Sequence, residues 1–437
     1  QTSKGLMYAD ELYYETRKSE IPMIPGVNGF EQPPIYDFMG NSALIEVTTR
    51  GGFKLKGKPG HRVKALKKGT FTPTWTKLED LDNSYYLPLK IGSNVFNPSA
   101  TVIDYKGKNF GETETHLAGD AVQPLTSSVE LARLLGYLVS EGVVDESLTL
   151  KEFGMHKEEA LKVLAYLGWE VDHPEKQVPW IIRQGKKEEQ VAFLSAIFNK
   201  ANCQSRSFSY FSYSNKLLNE IQQMLLNLGI YSTRSLAQLS RIGELHINGV
   251  HAKKLAQETG FTFDENCAAD SDASHLYLSS VIETLWSHYP DGDCLELKDV
   301  IDYTNTHNLI WLEVEDIEFN FEKAPTFDAN MPDTHTIITN GFVSHNSDVR
   351  IRMASRSVQG GTGQFEEEPG INGGIDQYRY IHMRAAKNKL SVPNLEGWSR
   401  IWVKDAEGQA HGFDPVYDVF HFLRELGLVT GTKNKLK

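Results

Sequence analysis

The sequence predicts a multidomain fold: β-rich stretches at two places bracket an α/β insert, and a separate α/β piece follows. Three observations predict it. At 437 residues the chain exceeds one ordinary hydrophobic core. The apolar pattern changes from strand-like to helical near Ser127 and returns to strand-like at Trp311. Beyond Ser347 the chain carries strands and a helix of its own.

Taken in order, residues 42–49, 53–55, 61–66 and 85–91 alternate β-branched or aromatic residues between Gly and Pro breaks, which predicts strands. Residues 129–142 form an apolar helical run stopped by Gly142. Further helices are expected at 156–167, 187–200, 214–228 and 250–259, with short strands at 207–213 and 244–247. Strand character over 311–344 closes the first part. The tail offers strands at 348–353, 378–385 and 398–403 and a helix at 415–426. Expected domains are therefore 1–120, 121–305, 306–346 and 347–437.

Composition narrows the class. Hydrophobic residues make up 40% and charged residues 23%, values of ordinary globular protein. No apolar run is long enough to span a membrane, so no membrane partner is expected. A net charge of −12 argues against a uniformly basic nucleic-acid binder, though a local DNA-binding face stays compatible. The three cysteines are widely spaced and lack Cys-x-x-Cys spacing. That suits a reducing, cytoplasmic setting and argues against disulfides or a zinc site. The chain opens on Gln1, without an initiator Met or signal peptide, and reads as a fragment.

The most informative string is 335–347, HTIITNGFVSHNS. Asn340 and Gly341 between two β-branched or aromatic runs are a strong two-residue hairpin signal. The second run ends in His345, Asn346 and Ser347: an imidazole, a carboxamide and a hydroxyl in consecutive positions. A carboxamide can attack its own backbone carbonyl, close a succinimide and release the following residue. Proximity and a neighbouring general acid both favour that step. Ser347 could first accept an acyl group as an ester.

This string resembles the C-terminal junction of an intein. Residues 57–63, GKPGHRV, resemble the intein block whose histidine stands beside the upstream scissile peptide, which makes His61 its counterpart. Lys58 stands where that block usually has Thr or Asn. Residues 2–12 resemble the latter part of the first intein block; its opening Cys or Ser nucleophile is not in this chain. Residues 325–328, PTFD, and His335 resemble the block before the terminal strand. The resemblance gives Asp328 a role in coupling the junctions and His335 a role in Asn cyclisation. It implies an all-β Hint horseshoe, needing no cofactor, over about 1–115 and 306–346.

Residues 134–142, LLGYLVSEG, resemble a LAGLIDADG homing-endonuclease helix. The resemblance implies a second such helix packed at Gly136, and an acidic residue at each helix end holding Mg²⁺ at the scissile phosphates of double-stranded DNA. Glu141 fills the first position, both metal ligand and catalytic group. In the second copy, 194–202, the acidic position is Ala201 and the terminal glycine is Asn202. The endonuclease is expected to be degenerate.

In the tail, SDVRIRM at 347–353, AAKNKLSVP at 385–393 and GFDPVYDVFHFLRELGLV at 412–429 resemble the C-terminal part of a RecA-type core, near recombinases of the UvsX kind. There Lys387 and Lys389 would reach ATP phosphates across a protomer interface, with single-stranded DNA and further copies of the chain as partners. No P-loop occurs in the sequence. The expected function is thus intein-mediated protein splicing inside a RecA-like recombinase of a phage or prokaryotic cell. An active site-specific endonuclease and a non-splicing, DNA-binding recombinase subunit are the alternatives.

Overall fold

In the computed structural model the chain divides into two compact units, Gln1–Asn346 and Ser347–Lys437. The residues described are 1–18, 21–33, 36–99, 102–103, 125–141, 176–199, 202–204, 207–236, 242–261, 295–331, 335–345, 349–356, 366–369, 375–388, 396–404, 412–413, 418–419, 423, 431–432 and 435–436. The expected helix at 156–167, and most of the one at 415–426, lie outside them. Described sheets are antiparallel, and no described helix is long and apolar enough to cross a membrane.

The first unit opens with a short helix, α1 (Ala9–Glu15). Its main sheet begins with β1 (Tyr36–Thr49), β2 (Lys54–Gly57), β3 (Arg62–Lys67), β4 (Thr74–Lys77) and β5 (Tyr85–Lys90). The insert follows with helices α2 (Val129–Glu141), α3 (Trp180–Arg183), α4 (Lys187–Phe198), α5 (Asn215–Asn227) and α6 (Gly249–Thr259). A four-stranded sheet runs through it: β6 (Asn202–Gln204), β7 (Ser207–Ser212), β9 (Gly243–Asn248) and, at the edge, β8 (Thr233–Leu236). Helix α7 (Leu295–His307) returns the chain to the first sheet through β10 (Leu309–Ala329), β11 (Thr336–Thr339) and β12 (Phe342–His345).

Sequence chemistry explains the boundaries. Ser214 starts α5 because its hydroxyl accepts from the Leu217 amide at 3.1 Å. Gly260, at φ 78°, ends α6 in the left-handed conformation a glycine tolerates. Asn340 and Gly341 have φ of 50° and 88°, and Thr339 pairs with Phe342, so the turn is a two-residue hairpin with both central residues left-handed.

The sheet runs β11-β12-β3-β5-β10-β1-β2, with β4 paired to β3. Strand β10 pairs with β5 at its start and with β1 along most of its length, including Asp328 opposite Asp37. Irregular register near Asp316, 320–324 and Pro325 bends that ribbon. Between the sheet's strands and α5 lies a core of Ile45, Val47, Phe53, Leu55, Leu87 and Leu226. Helix α7 is pinned by Trp311, whose indole donates to Thr304 at 2.8 Å.

The insert packs directly on this sheet. In its core, α2 and α4 meet at Gly136, where a Cβ would lie 2.6 Å from Ala196 Cβ and from the Phe193 carbonyl oxygen. The Asn227 side chain donates to the Val95 carbonyl at 2.9 Å and accepts from its amide at 3.0 Å. Gln222 donates to Gly51, and Arg234 to Gly52, in the turn after β1. Arg183, 5% exposed, donates to both Glu11 oxygens at 2.7 and 2.9 Å and to the Leu6 carbonyl at 3.2 Å. Its guanidinium lies 4.5 Å from the Tyr8 ring centre, and Tyr8 in turn donates to buried Glu220.

The second unit contains a five-stranded antiparallel sheet: β13 (Val349–Arg356), β15 (Ile375–Asn388), β16 (Glu396–Lys404) and β17 (Gly412–Phe413) in that order, with β14 (Glu366–Pro369) on β15. Arg400 stacks 3.9 Å over Tyr378.

Removing one partner of a buried ion pair strands the others, at a cost of roughly 3–5 kcal/mol. Arg183→Met should therefore lower unfolding stability by about that much in urea titrations. Arg17→Met, on the exposed end of the α1 segment, should change it by less than about 0.5 kcal/mol.

Candidate functional site

The end of β12 and the start of β3 share one rung, Ser344 opposite Val63. In an antiparallel ladder the residues after Ser344 and those before Val63 leave that rung on the same side. His345 and His61 therefore belong to one end of the sheet. The chain reaches His61 through a tight turn in which the His61 amide donates to the Lys58 carbonyl at 2.9 Å. The imidazole then rests on Gly57: a Cβ there would sit 3.2 Å from His61 Cδ2 and 3.3 Å from its Cβ. Beyond the turn, the His61 carbonyl accepts from Leu78 at 2.9 Å.

Burial holds the His61 pKa below its ordinary value, against the pull of the Asp328 carboxylate and with a further push from His345. These three side chains thus share one electrostatic environment. Asp328 comes from the far end of β10, and Tyr36, opposite Ala329, adds its phenol. Burial, then Asp328 and Asp10, push that phenol well above its usual range, so Tyr36 is a neutral donor; it donates to the Ala9 carbonyl at 3.2 Å. Against His345 stands Trp75, with ring centres 4.8 Å apart and planes at 82°. Together these side chains offer an imidazole held toward its neutral form by burial, a second imidazole and a carboxylate, a set suited to moving a proton.

Of the expected residues, the structure brings His61, Asp328 and His345 together. His335 is exposed at φ 55°, its amide donating to Met331 at 3.2 Å, one residue before the Thr336 that pairs with His345. Asn346 and Ser347 lie outside the described residues. Glu141 closes α2, and its side chain is not among those described. Ala201 is outside the described residues as well, and Asn202 opens β6. Among the described residues no three His, Cys, Asp or Glu side chains gather as a metal site. Lys387 lies in β15 opposite Arg350, and Lys389 is outside the described residues.

Sequence reasoning missed Tyr36, Trp75 and Ser344. Ser344 is fully buried, and its hydroxyl has no hydrogen-bond partner among the described residues. Its signal was a small polar residue at the buried phase of an otherwise apolar strand.

No protein-family model matches the chain. Two curated proteins are similar to it: the ribonucleoside-diphosphate reductase NrdEB subunit alpha of Bacillus subtilis (strain 168) and its namesake from Bacillus phage SPbeta. Each is 24% identical over 220 residues, which is 48% of this chain and 18% of the relative. The chain thus spans less than a fifth of the curated relatives it matches. This finding corrects the expected function. Neither relative is named as a splicing protein or a recombinase; the names point to nucleotide metabolism. Splicing within a RecA-like recombinase, and the DNA-recombination and ATP-binding roles attached to it, are therefore set aside. The physical reason is that the tail's resemblance rested on short strings, which many antiparallel sheets can carry.

A depressed imidazole pKa fixes the sign of a pH effect. Above about pH 6.5, the ordinary histidine value, His61 is neutral whether folded or unfolded. As pH falls below that value the unfolded chain takes the proton first, so folding stability is lost down through the folded-state pKa. Urea melts of the wild type should weaken over that window more than those of His61→Gln, which cannot titrate there. Gly57→Ala should displace the imidazole by a few tenths of an ångström, shifting the His61 ring resonances while leaving those of His251 in place.

Proposed function

We propose that the first unit breaks its own chain after Asn346, using the pocket at the end of the sheet. What supports this is the meeting of His61, Asp328 and His345 at the end of β12, one covalent step from Asn346. Along the chain, Asn346 comes two residues after Ser344, which pairs with Val63.

The step balances without an external reagent. The Asn346 carboxamide nitrogen attacks the Asn346 carbonyl carbon and closes a five-membered succinimide. The bond to the Ser347 nitrogen breaks, and the proton lost by the carboxamide ends on the Ser347 amine. An imidazole held neutral by burial can take that proton from the attacking nitrogen. The second imidazole can deliver one to the leaving nitrogen. Asp328 lies where it would favour an imidazolium formed during the transfer. The Hint-type and LAGLIDADG-type resemblances of the first unit, and a cytoplasmic setting, belong to this proposal. The proposal includes no ligation of flanking chains and no recombinase role.

A second reading rests on the relatives' names: the chain is a segment of a longer polypeptide of nucleotide metabolism. Calorimetric titration with ribonucleoside diphosphates tests it, and absence of any heat of binding would count against it.

For the first reading, the purified chain is held at pH 7 and followed by intact-mass spectrometry. A fragment beginning at Ser347, paired with one ending in a succinimide, is expected. Asn346→Ala should abolish it, and His345→Ala should slow it by roughly 100-fold or more. A wild-type chain that stays whole under conditions where it remains folded would sink the proposal.

A further inference from the structure

We propose that Trp75 is a positioning residue for His345, an inference that rests on the self-cleavage reading above. Strand β12 is held on its β3 side at Ser344, opposite Val63, and His345 is the next residue along. On its other side His345 pairs with Thr336. The ladder fixes the backbone there and leaves the imidazole's rotation to its neighbours. Trp75 meets the imidazole nearly perpendicular, at 4.8 Å between ring centres. Edge-to-face geometry of this kind is preferred because the ring faces are electron-rich and the edges electron-poor.

Trp75 is itself held in place. It stands opposite Lys64 in the β3–β4 ladder, and the Lys64 ammonium lies 5.0 Å from its ring centre. Its body packs on Val27, Leu309, Ile338 and Val343. These residues come from three separated parts of the chain, so the indole is a fixed wall against which the imidazole turns. Such a ring contact biases a side-chain rotamer by a factor of roughly two to ten. It does so without touching the atoms that react.

The test uses the full chain with Trp75→Leu and, as a volume-tolerant second variant, Trp75→Met. Two quantities are read: the rate of appearance of the Ser347 fragment across pH 5–9, and the His345 ring resonances in an Asn346→Ala background that cannot cleave. Expected are a rate lower by about two- to tenfold, a displaced pH profile, and moved His345 resonances with His251 unmoved; Trp75→Phe should restore most of each. Unmoved His345 resonances and an unchanged pH profile in a folded Trp75 variant would overturn the inference. Failure of the wild type to cleave would sink the self-cleavage reading instead, and the resonances would still decide whether Trp75 holds the imidazole.

Discussion

The pairing of β1 with β10 is the constraint on which the rest of the first unit depends. Residues 36–49 meet residues 314–329 across more than 250 intervening positions. Closing so long a loop costs entropy, but the cost rises only with the logarithm of its length. It is offset by a ladder of backbone hydrogen bonds and by the core beneath it, where Ile45 and Val47 from one strand and Val314 from the other are fully or almost fully buried. Without that ribbon Asp328 would act on neither Tyr36 nor His61. The bends near Asp316, 320–324 and Pro325 serve the same end. Beyond them the far end of β10 meets α1 and carries Asp328, whose charge acts on His61.

The insert is bound into this arrangement. Its Arg183 sits among Glu11, Tyr8 and Glu220, so one buried cation ties α1 to two separated pieces of the insert. Burial raises the Glu220 pKa, whereas Arg183's hydrogen bonds hold Glu11 low although burial pulls the other way. The two carboxylates flanking one guanidinium are thus unequal: Glu11 is its ionised partner, and Glu220 accepts from Tyr8 and from the Val178 amide. Gly5 shows how close the approach is, since a Cβ there would lie 2.5 Å from the Arg183 carbonyl oxygen. A strand-rich module and a helical insert that merely touched would not need a glycine at their contact.

What the sequence disclosed, and what it hid, follow from range. The hairpin at Asn340 and Gly341 and the helix over 187–198 were legible because turn chemistry and apolar period are local signals, whereas the close contact at Gly136 was expected from the resemblance of residues 134–142 alone. His61 and His345 were legible as residue types in short strings. The network around Arg183 was not, because nothing near Arg183 in the chain distinguishes it from a surface arginine. Tyr36 and Trp75 were hidden for the same reason: each looks like an ordinary strand aromatic until the sheet order sets it beside Asp328 or His345. Register, which period and propensity do not determine across 250 residues, decides such neighbours.

The same distinction separates kinship from chemistry here. A similarity of 24% over 220 residues says which proteins share a segment, and it covers 18% of each relative. What that segment can do depends on a few side chains whose meeting a similarity score does not weigh. Most of the first unit's residues answer to packing: they could change with volume kept and the sheet would still close. His61 does not, because it is a titratable ring pressed onto Gly57, its pKa lowered by burial and acted on by the charge of Asp328 and by His345. Ser344 adds a second departure from packing logic, since a buried hydroxyl without a partner among the described residues carries a desolvation cost of roughly 1–3 kcal/mol. One of these departures, Ser344, is half of the Ser344–Val63 rung, and the other, His61, lies two residues before Val63. Packing alone gives no reason for either, which marks this end of the sheet as the part of the first unit where side-chain chemistry, not volume, decides what a substitution costs.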